Sequence, residues 1–315
     1  MRIKLATCLA ILVAATIQGQ TMAESSADMA MDFDAVWDYN DPAATRTRFE
    51  QFRNHATDST ASYRLQLATQ IARTYGLEGD FKSAHGTLDE VEGQLRGAAS
   101  VERVRFLLER GRAHRSNGET DKALPLFEQA YDMGRLIRAD YHAIDAAHMM
   151  AIAADSTQTR RAWSRKGIDI AEASTQTRAR HWLGSIYNNL GWDHHGDGEF
   201  DAALELFQKA LVARQQEAEA GPIAIAHWCV ARCMRSVGRL TEALEIQQQL
   251  LADHEAAGTG DGYVSEELGE LHLALGNTQD AARHFAEAYR QLSQDSWFAA
   301  HETERLQRLK DLSQQ

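Results

Sequence analysis

Proline, cysteine and long apolar runs are all scarce in this chain of 315 residues, which holds three prolines and three cysteines. Few prolines and few β-branched runs, set against abundant Ala, Leu, Gln, Glu and Arg, predict helix nearly throughout, because those side chains lose little freedom on a helix. Catalytic signatures are missing too. No Ser-His-Asp set, HExxH or paired-carboxylate arrangement stands out from helical charge spacing, so the expectation is a protein without catalysis or cofactor. Residues 258–262, GTGDG, have glycines of the kind that cradle phosphate, yet no strand precedes them and no Lys-Ser or Lys-Thr comes after. They read as a linker.

The apolar stretch at residues 5–17 comes after Arg2 and Lys4 and ends in small and polar residues. Its 13 residues fall short of the roughly 20 needed to span a membrane, so residues 1–23 read as a secretory signal cleaved after Ala23, with Gly19 as another candidate site and an uncleaved anchor as the alternative. The mature protein is then expected in the periplasm or outside the cell, with no stable membrane span. Residues 24–40 are expected as a flexible lead, and residues 41–315 as the folded domain.

Loss of the leader removes Arg2 and Lys4 and no acid, moving the formal charge from −12 to −14. So acidic a chain repels nucleic acid on average, which disfavours that class of partner. Cys229 and Cys233, the two cysteines left, stand four apart on one helix face. A disulfide is awkward there and zinc would need two more ligands, so buried thiols are expected.

Residues 188–211, NNLGWDHHGDGEFDAALELFQKAL, set Asp193, His194, His195 and Asp197 beside regularly spaced Ala, Leu and Phe. Adjacent histidines point about 100° apart on a helix, which is poor for sharing one ion. A solvated turn is the expectation there; a zinc or copper enzyme is the weaker alternative.

Internal periodicity explains the stretch better. ARTYGLEGDFKSAHGTLDEV (72–91), GRAHRSNGETDKALPLFEQA (111–130), GWDHHGDGEFDAALELFQKA (191–210), ARCMRSVGRLTEALEIQQQL (231–250) and GELHLALGNTQDAARHFAEA (269–288) share one frame. Each begins with a small residue, has Gly at the eighth place (Gly79, Gly118, Gly198, Gly238, Gly276) and Ala at the thirteenth (Ala84, Ala123, Ala203, Ala243, Ala281), and usually an apolar residue at the seventeenth. A degenerate copy at 148–167 carries Asp155 at the Gly place. Small residues let two helices approach, Gly ends the first helix in the left-handed conformation, and a large apolar residue fills the gap behind. One such hairpin cannot bury its own faces, so six copies must stack.

The frame resembles the tetratricopeptide repeat, in a longer variant of about 40 residues. The resemblance implies an all-α, right-handed α-solenoid of about six helical hairpins with N- and C-terminal capping helices. Asp41-Pro42 opens the first cap, running to about His55, and residues 296–315 form a closing helix with Trp297, Phe298, Leu306 and Leu309 facing inward. It further implies a concave groove lined by the first helices, and a protein or peptide partner.

Carrying the family's groove places across brings Arg73, Arg105, Arg112, Arg115, Asn188, Trp192, Trp228, Arg232 and Arg235 onto that surface. The six arginines outnumber the three acids there, Asp145, Glu266 and Glu270, and leave the groove near +3 on an acidic chain. Forked guanidinium donors suit carboxylate, and two tryptophans add contact area at small entropy cost. Two readings stay open: a groove for an acidic or carboxylate-ended peptide, or arginines paired with acids of neighbouring helices. Arg73 and Arg112 stand where the family's chaperone-tail clamp has Asn, so that specificity is not implied. An envelope sensor or assembly protein that binds a small anion is the alternative function.

Overall fold

The computed structural model describes residues 32–55, 60–97 and 99–315, and the expected leader lies outside them. Sixteen helices succeed one another in the described residues: α1 (Pro42–His55), α2 (Ala61–Leu77), α3 (Phe81–Gln94), α4 (Val101–Ser116), α5 (Thr120–Leu136), α6 (Asp140–Ala153), α7 (Thr157–Ala173), α8 (Thr177–Arg180), α9 (Trp182–Gly196), α10 (Phe200–Glu217), α11 (Ala220–Ser236), α12 (Leu240–Ala256), α13 (Gly262–Ala274), α14 (Thr278–Leu292), α15 (Ser296–His301) and α16 (Thr303–Leu312). None of them is long and apolar enough to cross a membrane. Two compact units divide the chain, the first ending at Ile186 and the second running from Tyr187 to Gln315.

The pairs α2/α3, α4/α5, α6/α7, α9/α10, α11/α12 and α13/α14 are the six hairpins of the sequence frame. Five of them close identically. Gly79, Gly118, Gly198, Gly238 and Gly276 have φ of 78° to 83°, the left-handed region that costs other residues a Cβ clash. The residue after each glycine donates its N–H at 2.9 Å to the carbonyl five places back, as in Asp80 to Tyr75 and Glu199 to His194. The third hairpin differs. With Asp155 at the glycine place the chain leaves α6 extended at Ala154, and the Ser156 hydroxyl caps α7 by accepting the Thr159 N–H at 3.1 Å.

Packing between the two helices of a hairpin obeys a size rule. A Cβ added to Gly111, Gly191 or Gly269 would lie 2.4, 2.8 or 2.7 Å from the ring of Phe127, Phe207 or Phe285, the residue sixteen places on. Ala72 faces the smaller Leu88 in the same relation, and both are buried. Ala231 has Gln247 there, fully buried with neither amide atom hydrogen-bonded. The thirteenth-place alanines are buried throughout, which keeps the helices close along their whole contact.

Both ends depart from expectation. Asp41 caps α1 as anticipated, its carboxylate accepting the Ala44 N–H at 2.9 Å. The described part of the expected flexible lead, 32–40, is packed rather than loose: Phe33 lies edge-on to Phe49 and Tyr63 at 6.3 and 5.4 Å, and Trp37 edge-on to Phe49 at 5.2 Å. Apolar burial holds it down. At the other end the single closing helix is two, α15 and α16, separated at Glu302. Phe298 and Leu309 are fully buried and Leu306 partly so, but Trp297 is 40% exposed and stacks on His301. Neighbouring residues on a helix diverge by about 100°, so with Phe298 turned inward Trp297 must face out.

Candidate ligand-binding face

In the first unit the first helices α2, α4 and α6 bring the predicted arginines into a chain of ion pairs. Arg73 of α2 lies 3.6 Å from Glu109 of α4, Arg112 one turn on donates to Glu109 at 2.7 Å, and Arg112 also pairs with Asp145 of α6. Glu109 was no groove place in the frame, yet it is buried at the centre of this chain. Burial works against charge on Arg112, but the Asp145 and Glu109 carboxylates outweigh it and hold its pKa above the ordinary value. Asp145 is likewise held below the ordinary carboxylate range, burial being overcome by Arg112 and Arg73. These two arginines therefore tie hairpins together. Asp145 was already a place of the frame and Glu109 was not, so the excess of +3 counted from the frame is reduced here by a carboxylate the frame did not place on this face.

Arg105 is built differently. Its guanidinium, 8% exposed, has one carboxylate among the described residues, and that carboxylate is Asp34 from the packed N-terminal segment. One guanidinium nitrogen donates to Asp34 Oδ1 at 3.1 Å while the other engages Oδ2. Arg178 of α8 donates to the same Oδ2 at 2.8 Å and lies 4.0 Å over the Tyr141 ring. Burial alone would push the Asp34 carboxyl up; the hydrogen bonds and charges of Arg105 and Arg178 prevail and hold it below its ordinary value. Beside this pair Trp37 and Tyr39 stack at 4.8 Å and 6°, with the Arg73 guanidinium 5.6 and 5.2 Å from their rings. Arg115 has no carboxylate partner among the described residues and donates at 3.4 Å to the Ile152 carbonyl.

The second unit repeats the theme with other residues. Trp192 and Trp228 lie 6.1 Å apart, and Trp228 Nε1 donates to the Tyr263 carbonyl at 3.1 Å. Arg235 grips Glu267 through two nitrogens, one at 3.1 Å, and Arg232 stands 3.5 Å from the same carboxylate. Asn188 is half-buried on α9. Helix α16 adds Arg305, which donates to Glu266 at 2.7 Å, and Arg308, paired with Glu270. Here too internal acids engage the predicted arginines.

The adjacent histidines separate, as helical geometry requires. His194 Nδ1 pairs with Glu199 and His195 Nε2 with the Ser236 hydroxyl at 2.9 Å. His194 is buried and His195 half-buried at the end of α9, whereas residues 196–199 after them are exposed, so the turn is solvated as expected but the histidines are packed. The His194 and Glu199 pair recurs at His114 and Glu119, the same places of the second copy, at 2.7 Å. It is a feature of the repeat: the histidine ends the first helix and the glutamate begins the second. His85, His114 and Glu119 form the one group of three potential metal ligands found among the described residues. Arg110 lies 2.9 Å from His85 Nδ1 and Lys122 2.6 Å from Glu119, placing cations where a metal ion would be repelled. Residues 258–262 serve as a linker whose Asp261 caps α13, accepting from Tyr263 and Val264 N–H at 2.8 and 3.2 Å. Cys229 and Cys233 are free and buried, and burial pushes their thiols up to about 12 and about 11.

What sequence reasoning missed on this face is Asp34, Arg178, Glu109 and the Trp37 and Tyr39 pair. Residues 32–41, DFDAVWDYND, interleave acids with aromatics, a signal of contact rather than of a solvated lead.

Comparison with known proteins supports the repeat frame. Family models described as tetratricopeptide repeat match residues 70–140, 183–220 and 265–287. No curated protein sequence matches. Among solved structures, the apo form of RapI is similar at TM-score 0.62 and 13% identity, over 82% of this chain and 76% of that one. The tetratricopeptide-repeat sensor protein PH0952 from Pyrococcus horikoshii, a signal transduction ATPase with numerous domains, is similar at TM-score 0.63 and 13% identity, over 82% of this chain and 39% of that one. A Rap protein complexed with competence and sporulation factor is similar at TM-score 0.52 and 15% identity, over 82% of this chain and 74% of that one.

Proposed function

Since the chain belongs to the tetratricopeptide-repeat family, we propose that it is an exported, non-catalytic interaction scaffold that binds an acidic or carboxylate-bearing peptide segment on its first-helix face. One observation carries the reading: Arg105 and Arg178 converge on a single carboxylate offered by a segment outside the hairpins, beside aromatic rings that a guanidinium covers. Two guanidiniums on one carboxylate give charge-assisted, directional hydrogen bonds that an amide cannot replace. Trp37 and Tyr39 of that segment, lying against Arg73, stand in for the aromatic contacts a bound segment would make. A similar Rap protein is complexed with competence and sporulation factor, which supports reading this fold as one that takes a partner.

Arg73, Arg112, Arg232 and Arg235 keep the hairpins together on this reading, while Arg105, Arg115 and Arg178 meet the ligand. Trp192, Trp228 and Asn188 would form a contact surface of the second unit's own. The test compares two synthetic peptides on the full chain by calorimetry, one rich in Asp, Glu and Trp, the other with Asn and Gln in place of the acids. The acidic peptide is expected to bind at least about tenfold tighter, and Arg115→Glu with Arg178→Glu to remove that preference at unchanged helicity. Equal binding of both peptides would end the acidic-segment reading.

A further inference from the structure

The acidic, aromatic segment at residues 32–41 already occupies the face assigned above to a ligand. We propose that it is a built-in occupant, and that an incoming acidic, aromatic segment of a partner protein binds the first unit by displacing residues 34–40. The inference rests on the acidic-segment reading and adds the regulation of that site.

The arrangement differs from an ordinary helix cap. Phe33 is the anchor, buried against Phe49 and Tyr63, and nothing beyond it needs to continue into the site for that anchor to hold. The anchor opens a 3-10 turn of four residues, Phe33–Val36, and an irregular stretch then runs up to the start of α1. The segment's backbone makes short turn bonds, Ala35 N–H to Asp32 and Asp41 N–H to Asp38. It is tied to α1 by the Thr45 hydroxyl on Asp38 at 3.1 and 3.0 Å and by Arg48 on the Val36 carbonyl at 3.3 Å, far fewer bonds than a hairpin must break to open. Yet its side chains supply the groups the site requires: Asp34 is the one carboxylate that Arg105 and Arg178 have among the described residues, and the Trp37 indole donates to Gln70 Oε1 at 3.2 Å.

Arg105 makes the case for replacement. Its guanidinium is nearly buried, within electrostatic reach of His142, whose Nε2 is buried without a hydrogen-bond partner. A buried guanidinium left without its carboxylate is strongly unfavourable. Removing the segment therefore creates a receptor for another carboxylate rather than an inert surface. Arg178, 49% exposed, reaches that carboxylate from the solvent side, where a competitor would first meet it. Tyr39 is also exposed, and with Trp37 it lies against Arg73, so an aromatic side chain arriving from solution finds a guanidinium face to cover once they leave.

Being tethered, the segment competes at an effective concentration of roughly millimolar, so it lowers the apparent affinity for any ligand in proportion to its own occupancy. The experiment uses fluorescein-labelled DFDAVWDYND as the probe and fluorescence anisotropy on the full chain. Three proteins are compared: the wild type, Asp34→Asn, and the triple variant Asp34→Ala, Trp37→Ala, Tyr39→Ala. The triple variant is expected to bind the probe at least about tenfold tighter than the wild type, and Asp34→Asn at least about threefold tighter. Adding Arg105→Gln to either variant should cancel the gain. Should the triple variant lose helicity, the Asp34→Asn comparison decides. Equal, measurable affinity in all proteins would overturn the displacement while leaving the acidic-segment reading intact. No binding to any of them would overturn both.

Discussion

His142 shows how much a single buried side chain adds to the chemistry of this face. Burial pushes its pKa down to about 3, Arg105 adds to the effect, and Asp145 and Asp34 only partly oppose it. His148 and His195 are lowered in the same direction, to about 4, burial being again the leading cause. The unfolded chain takes up these protons near the ordinary histidine pKa of about 6.5, and the folded chain does not. Their contribution to stability is therefore whole above that value and is lost as pH falls from there toward 4 and 3. Each such group gives a slope of at most about 1.4 kcal/mol per pH unit in that window. Thermal unfolding is expected to shift to lower temperature between pH 7 and pH 5, and His142→Asn to flatten the dependence. An unchanged slope in that variant would show that the histidine is protonated in the fold.

At the scale of elements, hairpin packing depends on the match between the first and the seventeenth place of the repeat. Gly191 leaves room for the Phe207 ring, and a methyl group there would lie 2.8 Å from it. Helix propensity alone favours Gly191→Ala by about 1 kcal/mol. Overpacking in a closed interface costs about 1–3 kcal/mol, so steric conflict wins and the variant is expected to lose stability in denaturant titration. Adding Phe207→Leu recreates the Ala72 and Leu88 arrangement of the first hairpin and should recover part of the loss. A stabilised Gly191→Ala variant would mean that the size rule has no energetic weight. The histidine and glutamate pairs at His114 and His194 belong to this scale as well, since they recur by place in the repeat.

For the whole molecule, the proposal couples compartment and ligand. On the export proposal residues 1–23 are cleaved off, so material recovered from an envelope or secreted fraction is expected to begin near Glu24 by N-terminal sequencing. That cut leaves residues 32–41, and with them the built-in occupant, on the mature chain. A product starting at Met1 would overturn the export proposal, and one starting beyond Asp41 would remove the segment on which displacement depends. Within the first unit, the half-buried Arg73 and Arg112 join three first helices through the buried carboxylates of Glu109 and Asp145. Such a network breaks even against apolar packing only when every charge is partnered, so it fixes the relation among those hairpins more than it stabilises them.

The hairpins were legible in the sequence because their determinants are local. Gly79 or Gly198 ends a helix through its own backbone freedom, and an alanine at the thirteenth place packs on a helix only one turn of chain away, so spacing alone fixes both. Which arginines are spent on structure was not legible: Glu109 and Glu267 became partners only once neighbouring hairpins aligned their first helices. Least legible was Asp34, joined to Arg105 and Arg178 across 71 and 144 residues. No periodicity encodes a contact of that separation. By itself the sequence determined a helical repeat with Gly-closed turns, because nearest neighbours along the chain decide those. Only the tertiary structure decided which guanidiniums are paired and which segment covers them, because ion pairing depends on distances through space.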